Sequence, residues 1–388
     1  MAIPVRYNLR NLRVRWRSTL ATTLGIALVV AVFVMVMALA RGLKATYITT
    51  GDENNLMILR KGSTAESSSQ IGRDQVRQIK YLDGITKNAK GDPMASAEIL
   101  VLINLDRIDL SGTANVLVRG MSEVGLEMRP QIHILDGRWF KTGLHECVVS
   151  KKISDRFADC QVGDKFRAGK FYWTVVGIFD AHRTAFDSEI WVDADEARDA
   201  FNRDFYGSVL IRPVDNKSQV DAMVARMEAD KQLQVRILSE TAYYKEQTKT
   251  AGPIQFMGSF LATIMSIGAA FSAMNTMYAA VGARTREIGT LRVLGFKRRE
   301  IYFSFMFESI ALSLLGGLLG CLISLPLNGI ATGTFSWTTF AEVAFEFRIT
   351  PELLSKGMLF ALVMGLLGGM LPARLAARKP VLDALRAV

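Results

Sequence analysis

Apolar and polar residues are spread unevenly along this chain, and its longest uncharged runs set the first constraint. Ser18–Ala40 carries no charge over 23 residues, Thr250–Ala283 none over 34, and Ser309–Ala341 none over 33. Leu353–Leu371 carries only Lys356, near one end, where a long side chain can reach lipid headgroups. At ~1.5 Å per helical residue, about 20 residues cross a ~30 Å hydrocarbon core, so each run predicts a membrane span. The second run exceeds that length and predicts a helix continuing beyond the lipid. The third is interrupted by Pro326, which places its span at 303–326. Basic residues followed by an apolar run ending in Ala38-Leu39-Ala40 also fit a signal peptide. The apolar core is longer than the ~7–15 residues of such a leader, so the run reads as a retained anchor.

Between the first two spans the period changes. Glu98–Leu110, Asn115–Arg119 and Lys170–Phe179 alternate polar with apolar residues, punctuated by Gly112, Gly120, Gly163 and Gly169, which predicts strands. Ser208–Pro213, Ser218–Asp230 and Gln234–Leu238 read as strand, helix, strand. Val220, Met223, Val224 and Met227 make that helix's apolar stripe, an ordinary core face, and Ser218 with Asp221 suits a capping box. Ser63–Ser69 is small and polar and predicts a mobile loop. The fold class expected is an α-helical membrane protein with four transmembrane helices and a large mixed α/β extracytoplasmic domain between the first and second. Its boundaries run 1–17, first span 18–40, outer domain 41–249, second span with stalk 250–283, loop 284–302, third span 303–326, outer loop 327–352, fourth span 353–373 and tail 374–388.

Charge tests this layout independently. The chain holds 47 Lys+Arg against 37 Asp+Glu, a net of +10. Arg41–Lys249 is neutral, and the loop after the third span, with Arg348 against Glu342, Glu346 and Glu352, is acidic. The basic excess therefore lies in the segment before the first span, the loop between the second and third, and the tail. Such placement obeys the positive-inside rule with both termini cytoplasmic. It also removes the motive for nucleic-acid binding, since the large soluble segment is neutral.

Candidate chemistry is sparse. His133, His145 and His182 stand far apart with no Cys or His at ligand spacing, so neither a metal nor a cofactor is expected. No G-x-x-x-x-G-K-[ST], G-x-S-x-G or H-E-x-x-H occurs. Asp193, Asp195 and Glu196 follow a strand and read as a solvated helix start rather than an acid–base pair. The chain reads as a non-enzyme. Cys147 and Cys160, thirteen positions apart, could form a disulfide on the oxidising side, whereas Cys321, inside the third span, reads as a packing thiol.

Arg284–Phe307 is too rich in Leu, Ile and Val for a linker. Ile288, Leu291 and Leu294 recur at helical spacing, Gly295 can end the helix, and Lys297–Glu300 can start another. That predicts a short amphipathic helix at the inner face, lying on lipid or serving as a knob for a partner. Glu308, eight residues beyond Glu300, falls within the inner leaflet, where a carboxylate is either functional or paired with a nearby Arg. Gly316 with Gly320, and Gly365 with Gly369, have small-x-x-x-small spacing that permits close helix contact, within one subunit or between two.

The stretches Met274–Ala283, REIGTLRVLG, FESIALSLLGGLLG and GGMLPARLAARKPVLDALR resemble the permease family of MacB, FtsX and the lipoprotein-releasing permeases, the type VII ABC transporters. NLRVRWRSTLATTLGI resembles that family's opening, and VRGMSEVGLEMRPQIHILDGRWF with GDKFRAGKFYWTVVGIFD its periplasmic domain. The likeness covers nearly the whole chain and is strongest over the C-terminal third. It implies a bacterial inner-membrane permease subunit and a second permease as homodimer or paralogous heterodimer. ATP and Mg would be held by a separate ABC ATPase, since this chain begins almost at its first span. An adaptor and outer-membrane channel belong to the same implication. So does a coupling helix, carried here onto Glu287, Ile288, Leu291, Arg292, Leu294 and Gly295. The mechanism implied is mechanotransmission driving export of a hydrophobic, lipid-like or peptide compound. The alternatives are an FtsX-like scaffold activating a cell-wall hydrolase and a lipoprotein-release permease.

Overall fold

A computed structural model describes residues 16–109, 112–336 and 339–380. The N-terminal arginines before Arg17, Leu110 and the last eight tail residues, read above from sequence, lie outside the described residues. The chain forms two compact units. One is built from the described parts of Met1–Gly42, Gly252–Ile330 and Glu346–Val388, the other from Leu43–Ala251 and Ala331–Phe345.

Four long helices, Trp16–Ile48, Ala251–Ala283, Arg298–Ser324 and Pro351–Arg378, answer to the four predicted spans. Each is long and apolar enough to cross a membrane. The first and fourth outrun their apolar stretches at both ends, and the third begins eleven residues before its uncharged run, because a helix needs no apolar side chain to continue, only unbroken backbone hydrogen bonding. The third stops at Ser324, two residues before Pro326, and tightens into a 3₁₀ turn over Leu325–Leu327. Ile26, Val30 and Val34 of the first helix pack with Cys321 of the third and Leu353, Ala361 and Met364 of the fourth. Arg41 donates to Thr350 Oγ1 at 2.7 Å and to Glu352 Oε1 at 2.8 Å. Lys356, expected to reach headgroups, pairs with Glu352 at 2.7 Å.

The other unit is an α/β domain around a ten-stranded sheet. Its strands are β1 (Leu56–Arg60), β3 (Ala95–Asp106), β4 (Thr113–Met121), β5 (His133–Gly137), β6 (Glu146–Ser150), β7 (Lys165–Ala168), β8 (Phe171–Asp180), β9 (Glu189–Asp193), β11 (Ser208–Ile211) and β12 (Val235–Ser239). The order is β12-β1-β11-β3-β4-β9-β6-β8-β5, with β7 pairing β8. β2 (Ile71–Gly72) and β10 (Phe205–Tyr206) form a small separate ribbon. Pairing is antiparallel except for β4 with β9 and β6 with β8. β7 and β8 are joined through Gly169 at φ +64°, where a Cβ would sit 2.4 Å from the Ala200 carbonyl oxygen, so only glycine fits.

Helices α1 (Arg73–Lys80), α2 (Glu123–Glu127), α3 (Lys151–Ser154), α4 (Ala194–Ala200), α5 (Lys217–Ala229) and α6 (Glu240–Gln247) cover the sheet and its edges. The core gathers Val101, Ile103, Val116, Val118, Trp173, Val175 and Ile190 with Ala197 of α4. From Val101 onward β3 alternates buried with exposed residues, as its sequence pattern requires. Met223 and Met227 are buried core residues of α5. The cap differs from expectation: Asn216, not Ser218, accepts from Gln219 N, because the helix begins at Lys217, two residues before a Ser218 cap would start it. The Asp193 group is a helix start, with Asp193 accepting from the backbone of Asp195 and Glu196, but Asp193 and Glu196 are buried rather than solvated.

Residues 331–346, within the stretch expected to be a simple outer loop, form a hairpin of β13 (Ala331–Phe335) and β14 (Glu342–Glu346). Through Phe345 this hairpin belongs to the α/β unit: Glu342 takes ion pairs from both Arg107 and Arg156, and Ala344 N donates to Ser188 Oγ at 2.7 Å.

Candidate functional site

Between the second and third long helices the chain makes a nine-residue helix, Thr285–Val293. Its end follows from Gly295, at φ +94°, which lets Phe296 N return to Leu291 O at 3.1 Å and Gly295 N to Arg292 O at 3.2 Å. A new helix then starts at Arg298, with Glu300 accepting from Lys297 N at 2.7 Å. Ile288 is 3% exposed and packs with Met277, Val281, Ile301, Phe305, Ala373 and Ala376. Arg284, just before this joint helix, donates to Glu308 at 2.9 and 3.4 Å, both side chains being over 90% buried. Lys379 Nζ donates to Thr285 Oγ1 at 2.7 Å. The joint helix is thereby held to the second, third and fourth long helices at its base.

The six residues assigned to coupling do not act alike. Ile288 faces inward and packs as the anchor of this helix. Leu291 and Arg292 are half-buried, Arg292 Nη1 donating to Phe296 O at 3.3 Å. Glu287, Leu294 and Gly295 are exposed. Leu294 is 68% exposed, and its neighbour Val293, which the spacing argument passed over, is 62% exposed. Glu308 has the Arg partner that was one of its two readings, and that partner is Arg284.

The glycine pairs close contacts inside the chain. A Cβ at Gly316 or Gly320 would strike Ile26 or the Ala27 carbonyl oxygen of the first helix, at 2.8 and 2.5 Å. One at Gly365 or Gly369 would strike Ser313 or Ser309 of the third, at 2.1 and 2.5 Å. Ser309 Oγ also donates to Gly365 O at 2.7 Å. Cys147 and Cys160 are both free thiols within the α/β core, and burial pushes the Cys160 thiol up to about 12. Cys321 is free and buried.

The α/β unit holds a buried charge network that the sequence did not disclose. Arg119 donates to Glu66 at 2.9 and 3.1 Å, to Glu98 at 2.7 Å and to Glu189 at 2.7 and 2.9 Å. Arg129 donates to Glu98 at 2.7 and 3.0 Å and to Glu240 at 3.2 Å. None of these six side chains exceeds 4% exposure. Burial raises Glu66 above its ordinary range despite Arg119, whereas at Glu98 the pull of Arg129 and Arg119 outweighs burial and holds the carboxyl low. Ser63–Ser69, expected to be a mobile loop, instead delivers Glu66 into this network and buries Ser69. No local pattern marks Glu66, because its partner lies 53 positions away.

Two family models match the chain: the MacB-like periplasmic core domain over residues 19–230 and the FtsX-like permease C-terminal domain over 259–381. The macrolide export ATP-binding/permease protein MacB of Pasteurella multocida is 26% identical over 94% of this chain, which spans 57% of that protein's length. The uncharacterized ABC transporter permease YknZ of Bacillus subtilis is 24% identical, covering 97% of this chain and 99% of its own. The periplasmic region of MacB from Actinobacillus actinomycetemcomitans superposes on 49% of this chain and 90% of its own, with 12% identity and a TM-score of 0.38. Since the first model alone takes in more than half of the sequence and the second most of its C-terminal part, this chain belongs to the MacB/FtsX permease family.

Proposed function

We propose that this protein is the permease subunit of a type VII ABC transporter of a bacterial inner membrane. A separate ATPase binds ATP and Mg, and the permease converts the ATPase's closure into movement of its periplasmic α/β unit, exporting a hydrophobic, lipid-like or peptide compound. A second permease completes the assembly, and a periplasmic adaptor with an outer-membrane channel carries the cargo onward. The reading is supported by its family relatives, which include a macrolide export ATP-binding/permease protein. The observation that carries it is the joint helix Thr285–Val293, anchored inward by Ile288 and the Arg284–Glu308 pair and ending on two exposed apolar side chains, Val293 and Leu294. Exposed apolar residues beside a rigid anchor suit a protein partner that inserts them into a pocket. Val293→Asp with Leu294→Asp should release the ATPase from the complex purified from membranes while the permease still inserts and folds. Retention of the ATPase by that double variant would remove the joint helix from the coupling role.

A further inference from the structure

Glu240 opens α6, 188 positions after Asp52, and its carboxylate is fully buried. Oε2 accepts from Asp52 N at 3.0 Å and from Asn55 Nδ2 at 2.9 Å, while Oε1 accepts from Arg129 Nη2 at 3.2 Å. Glu240 N in turn donates to Asn55 O at 2.9 Å. Asp52 and Asn55 lie immediately beyond the first long helix, which ends at Ile48, and α6 leads through Thr248–Thr250 into the second, which begins at Ala251. Gly51, at φ +90°, lets the backbone press on this carboxylate: a Cβ there would stand 2.8 Å from Glu240 Cγ. Arg212 reinforces the same turn, donating to Asp52 Oδ2 at 2.8 Å, to Asn55 Oδ1 at 3.0 Å and to Met128 O at 3.0 Å.

Packing alone gives no reason for a carboxylate here, because apolar residues of similar volume are often at least as stabilising as a buried ion pair. What hydrogen bonds add is direction and fixed length, which non-directional apolar contact lacks. We propose that Glu240 is a positioning residue that locks the exit of the first long helix to the entrance of the second and passes their displacement, through Arg129, to the central strands. Arg129 reaches Glu98 on β3, which Arg119 of β4 ties to Glu189 on β9, so the joint opens onto a continuous line of ion pairs. The proposal rests on the mechanotransmission reading given above.

The test is hydrogen exchange on the full chain bound to its ATPase in lipid nanodiscs, with and without ATP, Mg²⁺ and vanadate. In the wild type, residues 49–56 and 239–247 change protection together. In Glu240→Gln an amide N–H₂ must face either the donors of Asp52 and Asn55 or the Arg129 guanidinium. The nucleotide response at 239–247 should then fall by roughly fivefold or more, the low end of coupling between sites, while ATP hydrolysis and thermal stability of the complex persist. Glu240→Asp should restore part of the response. If Glu240→Gln does not fold, Arg212→Gln, whose parent side chain is 23% exposed, cuts the outer half of the joint and should uncouple the same segments. An undiminished response in a folded variant overturns the joint and leaves the mechanotransmission reading standing. A wild type in which neither segment responds to nucleotide removes that reading and the joint with it.

Discussion

Arg119 touches three carboxylates at once, and none of the four groups reaches water. Removing the cation leaves Glu66, Glu98 and Glu189 to face one another, and breaking a buried pair by deleting one partner costs about 3–5 kcal/mol. Arg119→Met should therefore lower the melting temperature of the full chain in detergent by several degrees, read by fluorescence from buried Trp173 and Trp191. The two shifted carboxyls pull stability in opposite directions with pH. Glu66, raised in the fold, contributes stability that is complete below the unfolded value of about 4.3 and is lost as pH rises through its raised value. Glu98, lowered in the fold, contributes stability present above about 4.3 and lost as pH falls through its depressed value. Glu66→Gln keeps one acceptor oxygen for Arg119 Nη1 and Ser208 but sets an N–H₂ against Arg119 Nη2, a fixed cost that does not titrate, so its melting temperature relative to wild type should rise from pH 4 to pH 8. Parallel pH profiles for the two proteins would place the proton elsewhere. Legibility differs sharply between such residues: Glu308 stood out because an apolar run isolates a charge, whereas Glu66 sits in a polar stretch where any Glu looks solvated.

Among the elements, the glycine pairs show what spacing can and cannot tell. Small residues at i and i+4 predict close helix approach, but which helix approaches is set by the fold, here the first against Gly316 and Gly320 and the third against Gly365 and Gly369. Gly365→Val would drive a side chain into Ser313 Oγ, and overpacking of this kind costs about 1–3 kcal/mol. The second long helix behaves differently: only 17% of its most apolar stretch is buried, and among the described residues nothing within 4 Å meets a Cβ at Gly268. Gly268→Ala should leave the isolated chain unharmed or stabilise it by about 0.4–1 kcal/mol. Measured side by side in detergent, Gly365→Val should lower the melting temperature and Gly268→Ala should not. If Gly268→Ala preserves the melting temperature yet abolishes association between copies, that helix face is an interface rather than a lipid surface. The joint helix was legible for the same kind of reason, an apolar recurrence closed by Gly295, though the inward turn of Ile288 and the exposure of Val293 depend on contacts with residues outside the segment.

For the molecule as a whole, the hairpin over 331–346 changes how many times the chain enters its α/β unit. The span count and the charge asymmetry were readable because they depend only on composition along the chain. The hairpin was not, because its attachment depends on Arg107 and Arg156, drawn from distant parts of the sequence. Glu342 is 12% exposed and takes both guanidiniums, while Val343, Ala344 and Phe345 are almost fully buried. Among the described residues two kinds of tie therefore hold the hairpin, one ionic, the other apolar burial with the Ala344–Ser188 and Asn115–Phe340 hydrogen bonds. Glu342→Ala removes the first and leaves the second, while stranding two cations that are only about a quarter exposed. If the ion pairs fix the hairpin, brief chymotrypsin treatment of the full chain in detergent should cut near Phe335 or Phe340 in Glu342→Ala well before it cuts wild type, with the rest of the α/β unit intact. Phe345→Ala should produce cleavage through the other tie, since losing a buried Phe costs about 3–5 kcal/mol. Equal resistance of Glu342→Ala and wild type, with Phe345→Ala sensitive, would mean that burial alone holds this segment and that Arg107 and Arg156 merely accompany it.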